Sequence, residues 1–588
     1  MAYKKFVSLY MLSLLFFAHV FGQTNAKEQL SEEASALKHT ILLNNAKAFI
    51  PLSNLEKIQI ALVKNGIDAG KIMGEHLNHY MSVDILDALN QASKAHNLYV
   101  LLVDAEHVHD PAFRDDLFQF SKTHSSIVTV LGSSKELAAL DGLSAPIVWV
   151  DAPSAVAAKV ASEVIFGGLA VNNTLEETIS TNFRKGDGFK TQVTRLSYSI
   201  PEAVGIDGAQ LSAKIDAIAA EMIEGKGAPG AAVMVVKDNK VIFDRAYGTH
   251  TYEGNIPTKT TDLFDMASIS KIASTTLAVM HLDETGKIDL NQTMGHYLKD
   301  AKKSNKKDVV LRDVMLHQAG FVPFIPFYRN LEPSDHSVDS SAAYPTKVAE
   351  NYYLRKNYFQ DVMWPEMLAS PLKSSGDYVY SDISMYVMQQ VIQTVTKKHL
   401  DTYVAQQFYA PLGMDNTLYN PWRFYDSKEI IPTEDDDSFR KSRLIGYVHD
   451  QGSGMAGGVA GHAGLFSTVD DLAKYAQMLL NGGEYGGVRY FEEATVNLYT
   501  SKQGTHSRRG LGFDRKDPDP KKAYPSALAS ASTFGHTGYT GTCIWIDPEN
   551  QLTYIFLSNR VQPKVSTRIY EMNIRSRIQD AVYSALPK

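Results

Sequence analysis

Four short apolar runs, separated by helix-like segments, set the strongest limit on the first third of this chain. They are Ile58–Val63, Leu98–Val103, Ile127–Leu131 and Ile147–Val150. Helices are expected over Val83–Ala95, Phe113–His124 and Ser154–Ile165. Strands that are apolar throughout, rather than at alternate positions, belong in a sheet covered on both faces. Alternation with helices makes that sheet mostly parallel. Asp104, His107 and Asp110 fall in a loop after a strand, where such folds often carry sites, but Asp and His are also ordinary loop residues. No glycine-rich phosphate loop follows the first strand, and Asn65-Gly66 is a turn signal only.

The pattern changes between Tyr198 and Ile206, where Pro201 and Gly205 interrupt it. A helix is expected over Gln210–Glu224. Ala231–Val236 and Val241–Ala246 then read as a hairpin closed by a short polar turn. A second hairpin pairs Thr542–Ile546 with Leu552–Leu557, and a final amphipathic helix spans Thr567–Leu586. Hairpins at both ends with helices between predict an antiparallel sheet flanked by helices. At 588 residues the chain exceeds one ordinary domain. Two units are expected: an α/β sandwich over 27–198, and an α+β unit with a helical subdomain over 200–588 that folds independently.

Lys4 and Lys5 precede the apolar run Phe6–Phe21, with Gly22 and Ala26 beyond it. This is the pattern of a secretory signal over 1–22, too short for a membrane span. No stable span is expected after its cleavage. The single cysteine, Cys543, excludes an intrachain disulfide, which suits a secreted or periplasmic bacterial protein better than a eukaryotic secretion route. The net charge of -7, with both signs well mixed, excludes a nucleic-acid surface built on a basic patch.

Chemistry concentrates in Ser268-Ile269-Ser270-Lys271, which leads into an Ala-rich apolar segment with Gly286 as a candidate cap. A serine hydroxyl is a weak nucleophile and needs a proton-handling neighbour. On a helix, positions i and i+3 share a face, so Lys271 can reach Ser268. The helix N-terminus adds N–H groups where an oxyanion would form. Spacing alone is weak evidence, because Ser-x-x-Lys also occurs at Ser35, Ser304, Ser370 and Ser438. Only the Ser268 copy lies between a strand-like approach and a long apolar helix.

Further motifs follow in order: Leu316-His317-Gln318-Ala319-Gly320, then Tyr380-Ser381-Asp382, then the glycine-rich run Gly457–Ser467, then His536-Thr537-Gly538. Together with Ser268 and Lys271, they make residues 200–588 resemble the serine β-lactamase/penicillin-binding-protein family. The nearest branch contains class C β-lactamases, D-Ala-D-Ala carboxypeptidases and related esterases and aminopeptidases. The resemblance implies an acyl-enzyme at Ser268, with Lys271 and Tyr380 handling the proton. It implies an oxyanion hole from the backbone N–H groups of Ser268 and Tyr539, and substrate contacts at Asp382, His536, Thr537 and Gly538. It implies no cofactor and no metal. His317 and His462 read as structural hydrogen-bonders, without metal-ligand spacing. The aromatic stretch Phe321, Phe324, Phe327, Tyr328, Tyr352, Tyr353 and Trp364 either lines the cleft or packs the helical subdomain.

Residues 27–198 resemble the α/β sandwich that follows the barrel in family 3 glycoside hydrolases, through Phe166-Gly167-Gly168 and Phe183–Gly188. The barrel and its nucleophilic Asp motif are missing, so glycosidase activity is not expected. Two departures from the β-lactamase-like pattern matter. Asp382 stands where Asn is usual, introducing a possible anion. His536 stands where many relatives carry Lys, replacing a permanent cation by a titratable ring. The expected function is an exported serine hydrolase acting on esters, D-amino-acid peptides from the cell wall, or β-lactams. The alternative is an envelope protein that binds peptidoglycan or sugar with a retired site.

Overall fold

The computed structural model describes residues 25–373, 376–504, 506–519, 522 and 525–587. The signal-like segment 1–22 lies outside them. No helix among the described residues is long and apolar enough to cross a membrane.

The first sheet comprises β1 (Thr40–Leu43), β2 (Ile60–Val63), β3 (Asp84–Leu86), β4 (Leu98–Val103), β5 (Ser126–Leu131) and β6 (Ile147–Val150). Its order is β1-β6-β5-β4-β2-β3, parallel except for the antiparallel edge strand β1. Every residue of β4 and β5 is buried, as expected for a sheet covered on both faces. The expected helix over Val83–Ala95 is not there. Asp84–Leu86 instead adds a short edge strand to β2, and a single 3-10 turn follows at Leu89–Gln91. The helix between β2 and β3 is Ala69–Asn78, which buries Gly70, Met73, Gly74 and Leu77. Its glycines masked the signal in the sequence. A Cβ on Gly74 would stand 2.6 Å from the Ile85 side chain, so that helix needs a small residue to approach the sheet.

The second sheet begins with the two-residue strand β7 (Ser197–Tyr198). It continues with β8 (Gly230–Lys237), β9 (Lys240–Gly248), β10 (Asp514–Arg515), β11 (Phe534–Thr537), β12 (Cys543–Asp547) and β13 (Leu552–Ser558). The order is β10-β11-β12-β13-β8-β9-β7, antiparallel except where β7 runs parallel to β9. Asp238 and Asn239 both take positive φ at the β8–β9 turn, which suits the right-handed twist of a hairpin. Helices Gly208–Glu224 and Ile574–Ala585 cover the outer face. The expected final helix is divided at Asn573, whose φ is 52°.

One apolar core runs from the inner face of the second sheet through the helical subdomain to Ala69–Asn78 and Ala155–Phe166 of the first layer. The junction is pinned by polar contacts as well. Tyr80 Oη donates to the Leu196 carbonyl at 2.9 Å, and Tyr198 Oη donates to Asp470 at 2.6 Å. The His79 ring stacks on Tyr198 with centroids 3.9 Å apart. The Pro/Gly-marked junction is therefore not a flexible link: its strand β7 is part of the second sheet.

Candidate active site

The backbone places Ser268 by a strained turn. The strand Phe264–Asp265 pairs with Leu465–Ser467. Asp265, buried, then accepts the Ala267 N–H at 2.8 Å, and Ala267 takes φ 45°. A non-glycine residue in that region is held by its surroundings, and such strain clusters at functional sites. A 3-10 turn over Ala267–Ile269 presents Ser268, and Lys271–Thr276 form a π-helical turn before the α-helix Leu277–Glu284. The wide turn frees carbonyls that tyrosines collect. Tyr475 donates to Ile272 O at 3.1 Å and Tyr409 to Ala273 O at 2.9 Å. The expected single helix is thus three helical types in succession. Gly286, with φ 67°, ends it as expected.

Lys271 is fully buried and its ammonium donates to three acceptors: Ser268 Oγ at 2.9 Å, Asp382 Oδ1 at 2.8 Å and the His462 carbonyl at 3.2 Å. Burial pushes the ammonium pKa down, but Asp382 and Tyr380 outweigh it, and the net shift is upward. Lys271 is therefore a cation at neutral pH and a donor, with no lone pair to accept the proton of Ser268. Tyr380 Oη meets Ser268 Oγ at 3.0 Å, and the Lys271 nitrogen lies 4.9 Å from the Tyr380 ring centre. Asp382, the possible anion expected among the substrate contacts, is the counter-ion of Lys271.

The expected third-motif residues edge the same site. Thr537 ends β11, and Gly538 follows where the strand passes the nucleophile turn. A Cβ on Gly538 would lie 2.1 Å from Thr542 Oγ1 and 2.6 Å from the Met266 carbonyl, so only glycine fits there. Tyr539 is half exposed, stacks on His449 at 5.2 Å, and lines a cavity of about 410 Å³ with Ser268, Tyr380, Asp382 and His462. His536 is buried, and burial, then Arg509 and Lys271, depress its pKa to about 3. It is neutral at pH 7. Its Nδ1–H donates to the Thr537 carbonyl at 2.8 Å, and its Nε2 accepts from Arg509 at 3.3 Å.

Arg509 is the residue that sequence reasoning missed. It is buried behind His536, donates to Tyr378 Oη at 2.8 Å, and lies 5.2 Å from the Tyr380 ring centre. A cation thus stands behind His536, paired in turn with Asp514 at 3.8 Å, and it comes from a distant loop where no motif announces it. His317 holds the second motif by accepting the Ser381 N–H at 3.2 Å. His462 donates from Nε2 to Asp450 at 2.9 Å. Phe324, Phe327 and Tyr328 line the cavity, and Phe327 also belongs to the core together with Phe321 and Trp364. Asp382, Asp450 and His462 each bring one ligand-type atom to within 4.8 Å of the others, a set hidden in the sequence because three separate segments supply it.

Residues 215–577, more than half of the chain, match the β-lactamase family, and the chain belongs to it. It is a serine hydrolase of that family, built of sheets flanked by helices. Relatives from Salmonella agona and Salmonella typhimurium, provisionally named D-alanyl-D-alanine carboxypeptidases, are each 29% identical over 448 residues. These matches cover 70% of this chain and 99% of theirs. Among solved structures, a class C β-lactamase is similar at 16% identity and TM-score 0.47, covering 64% of this chain and 99% of its own. A hydrolase with promiscuous acyltransferase activity is similar at 19% identity and TM-score 0.48, covering 64% and 99%.

Proposed function

We propose that this protein hydrolyses D-amino-acid peptides or esters of cell-wall type through an acyl-enzyme on Ser268. The carrying observation is that Ser268 Oγ meets both Lys271 Nζ, at 2.9 Å, and Tyr380 Oη, at 3.0 Å. Ser268 attacks the carbonyl as its proton passes to Tyr380 in the phenolate form. Lys271 does not take that proton. As a cation it steadies the phenolate and orients the serine hydroxyl. The oxyanion forms between the backbone N–H groups of Ser268 and Tyr539. Tyr380 then protonates the leaving amine or alcohol as the C–N or C–O bond breaks, and water releases the acyl group in a second cycle. The substrate backbone runs beside β11 in the manner of an added strand, with Thr537 and Gly538 along it and His536, backed by Arg509, drawing a terminal carboxylate.

The names of the Salmonella relatives, matched over 99% of their length, support the carboxypeptidase reading over a β-lactamase. That reading also suits export to the envelope, with the α/β layer over 27–198 kept as a scaffold. The intact serine–lysine–tyrosine contacts speak against a retired site. The test is intact-mass spectrometry after a fluorophosphonate and after D-alanyl-D-alanine peptides. One adduct that Ser268→Ala abolishes is expected, and an adduct that survives in the variant refutes the assignment.

A further inference from the structure

The wall of the cavity beside Lys271 carries groups that the acylation steps above leave unused. Asp450 lines the cavity with about a third of its side chain exposed, and His462 Nε2–H holds it at 2.9 Å. It also accepts the Ser453 N–H at 2.7 Å. Burial opposes its charge, but His462 and that N–H outweigh burial and keep it ionised. Asp382 faces it across at most 4.8 Å. Lys271 takes Asp382 Oδ1, and the carboxylate makes no capping bond to the helix Ile383–Thr396 that it opens.

A second, independent feature points to a ligand here. Tyr386 is 97% buried, yet its hydroxyl has no hydrogen-bond partner. It lines the same cavity, packs its ring on His462 at 4.5 Å, and feels the charges of both Asp450 and Asp382. A Cβ on Gly452 would stand 2.9 Å from Tyr386 Oη and 3.4 Å from Asp450 Oδ1, so the glycine leaves the gap between them open. A buried hydroxyl without a partner is costly, and a ligand that fills the gap removes the cost.

Resting on the acyl-enzyme reading, we infer that Asp382, Asp450 and Tyr386 form a subsite for a primary ammonium on the acyl part of the substrate. An ammonium carries three N–H donors, and this wall offers three acceptors: two carboxylates and one hydroxyl. The donors already in place select the ligand. Lys271 takes Asp382 Oδ1, while His462 Nε2–H and the Ser453 N–H both take Asp450 Oδ1, which leaves the second oxygen of each carboxylate and the Tyr386 hydroxyl to accept. A primary ammonium brings three N–H donors to those acceptors, whereas a divalent metal would set two charges beside the Lys271 cation. A metal would also need a lone pair from His462 Nε2, whose N–H is committed to Asp450. The ammonium lies near the reacting carbonyl, because the single Lys271 nitrogen bridges Ser268 Oγ and Asp382 Oδ1 at 2.9 and 2.8 Å.

Calorimetry on full-length protein carrying Ser268→Ala tests this by binding alone. The ligands are D-alanyl-D-alanine with an α-ammonium, its N-acetyl form with none, and Nα-acetyl-D-lysyl-D-alanine with a side-chain ammonium. At least one ammonium-bearing peptide is expected to bind roughly 10- to 100-fold more tightly than the N-acetyl form, as losing charge-assisted hydrogen bonds implies. Which of the two it is identifies the source of the ammonium. Adding Asp450→Asn, whose amide still caps Ser453, is expected to bring all three within about threefold. Tyr386→Phe, which keeps the ring packing, is expected to narrow the gap in part. Equal binding, or no binding by any peptide, overturns the subsite. So does tight binding of Zn²⁺ alone that Asp450→Asn removes. Serine-probe labelling of the protein with Ser268 intact reports separately on the acyl-enzyme, so either reading can fail alone.

Discussion

Replacing Asp382 by Asn probes the charge state on which the proposed chemistry depends. Lys271 is 0% exposed and the Asp382 side chain 27% exposed, so their 2.8 Å contact is poorly screened. Removing one partner of a fully buried pair costs about 3–5 kcal/mol. Asparagine still accepts a hydrogen bond and one face is open, so loss of one charge-assisted bond, about 1.5–3 kcal/mol, is the better guide. At roughly 2–4 °C per kcal/mol for a large domain, the apparent Tm should fall by about 3–12 °C. The pH dependence gives the sharper check. In the wild type the folded-state pKa of Lys271 is raised above 10.5, so the pair contributes fully below that pH and is lost only above it. In Asp382→Asn the burial penalty loses its main opponent, the folded-state pKa falls, and the unfolded chain then binds more protons than the folded one. The stability of the variant therefore rises with pH relative to the wild type. The Tm deficit, measured by fluorimetry from pH 6 to 9, should be largest at pH 6 and shrink towards pH 9. Fluorophosphonate labelling of Ser268 should slow at least tenfold at pH 7, as loss of a charge-assisted contact in the transition state implies. A deficit that is flat over that range, or labelling at the wild-type rate, refutes the view that Asp382 keeps Lys271 charged.

Tyr380→Phe should lower the acylation rate about 10²- to 10⁴-fold, as expected for loss of a general base. Its Tm should hold, and a rate within threefold of wild type would remove Tyr380 from the proposed proton path. His536 is neutral well below pH 7 because of burial and Arg509, so the wild-type pH–rate profile should show no His536 inflection between pH 5 and 7. Arg509→Gln should raise the His536 pKa while burial, the larger cause, keeps it below the ordinary value, and it should selectively weaken substrates that carry a terminal carboxylate. At the junction between the layers, burial raises the pKa of Glu163 to about 8, so folding takes up a proton from about pH 5 to 8 and grows costlier with pH. Glu163→Gln should therefore raise Tm at pH 8 by more than at pH 5, and an equal change at both would show that Glu163 is ionised in the fold.

Much of the sheet framework was legible because burial on both faces leaves a run that few loops imitate, as in Leu98–Val103. Val83–Ala95 misled because a three-residue edge strand is too short to impose a period, while the true helix carries Gly70 and Gly74. The serine, lysine and tyrosine were legible as motifs. Arg509, Asp450 and Tyr386 were not, because they come from segments far apart in sequence that only the tertiary fold brings together. Asp382 shows a different limit. The sequence announced a charge, but its partner depends on a distance, and Lys271 rather than His536 stands beside it. The junction at Pro201 and Gly205 is a local signal, whereas the apolar core that crosses it is a property of packing.

The π-helical turn at Lys271–Thr276 turns a length of chain into a fixed integer. Deleting one residue from it would let ordinary α-helical bonding resume, but everything beyond would rotate by about 100° relative to Ser268. Residues 271–280 are buried without exception, so no solvent-facing side exists to absorb the turn. The hydroxyls of Tyr409 and Tyr475 engage the displaced carbonyls like two detents on a dial. Loops around this cleft can lengthen or shorten as substrates change, but the interval between the nucleophile and its helix can drift only if both tyrosines and the packing around them change with it.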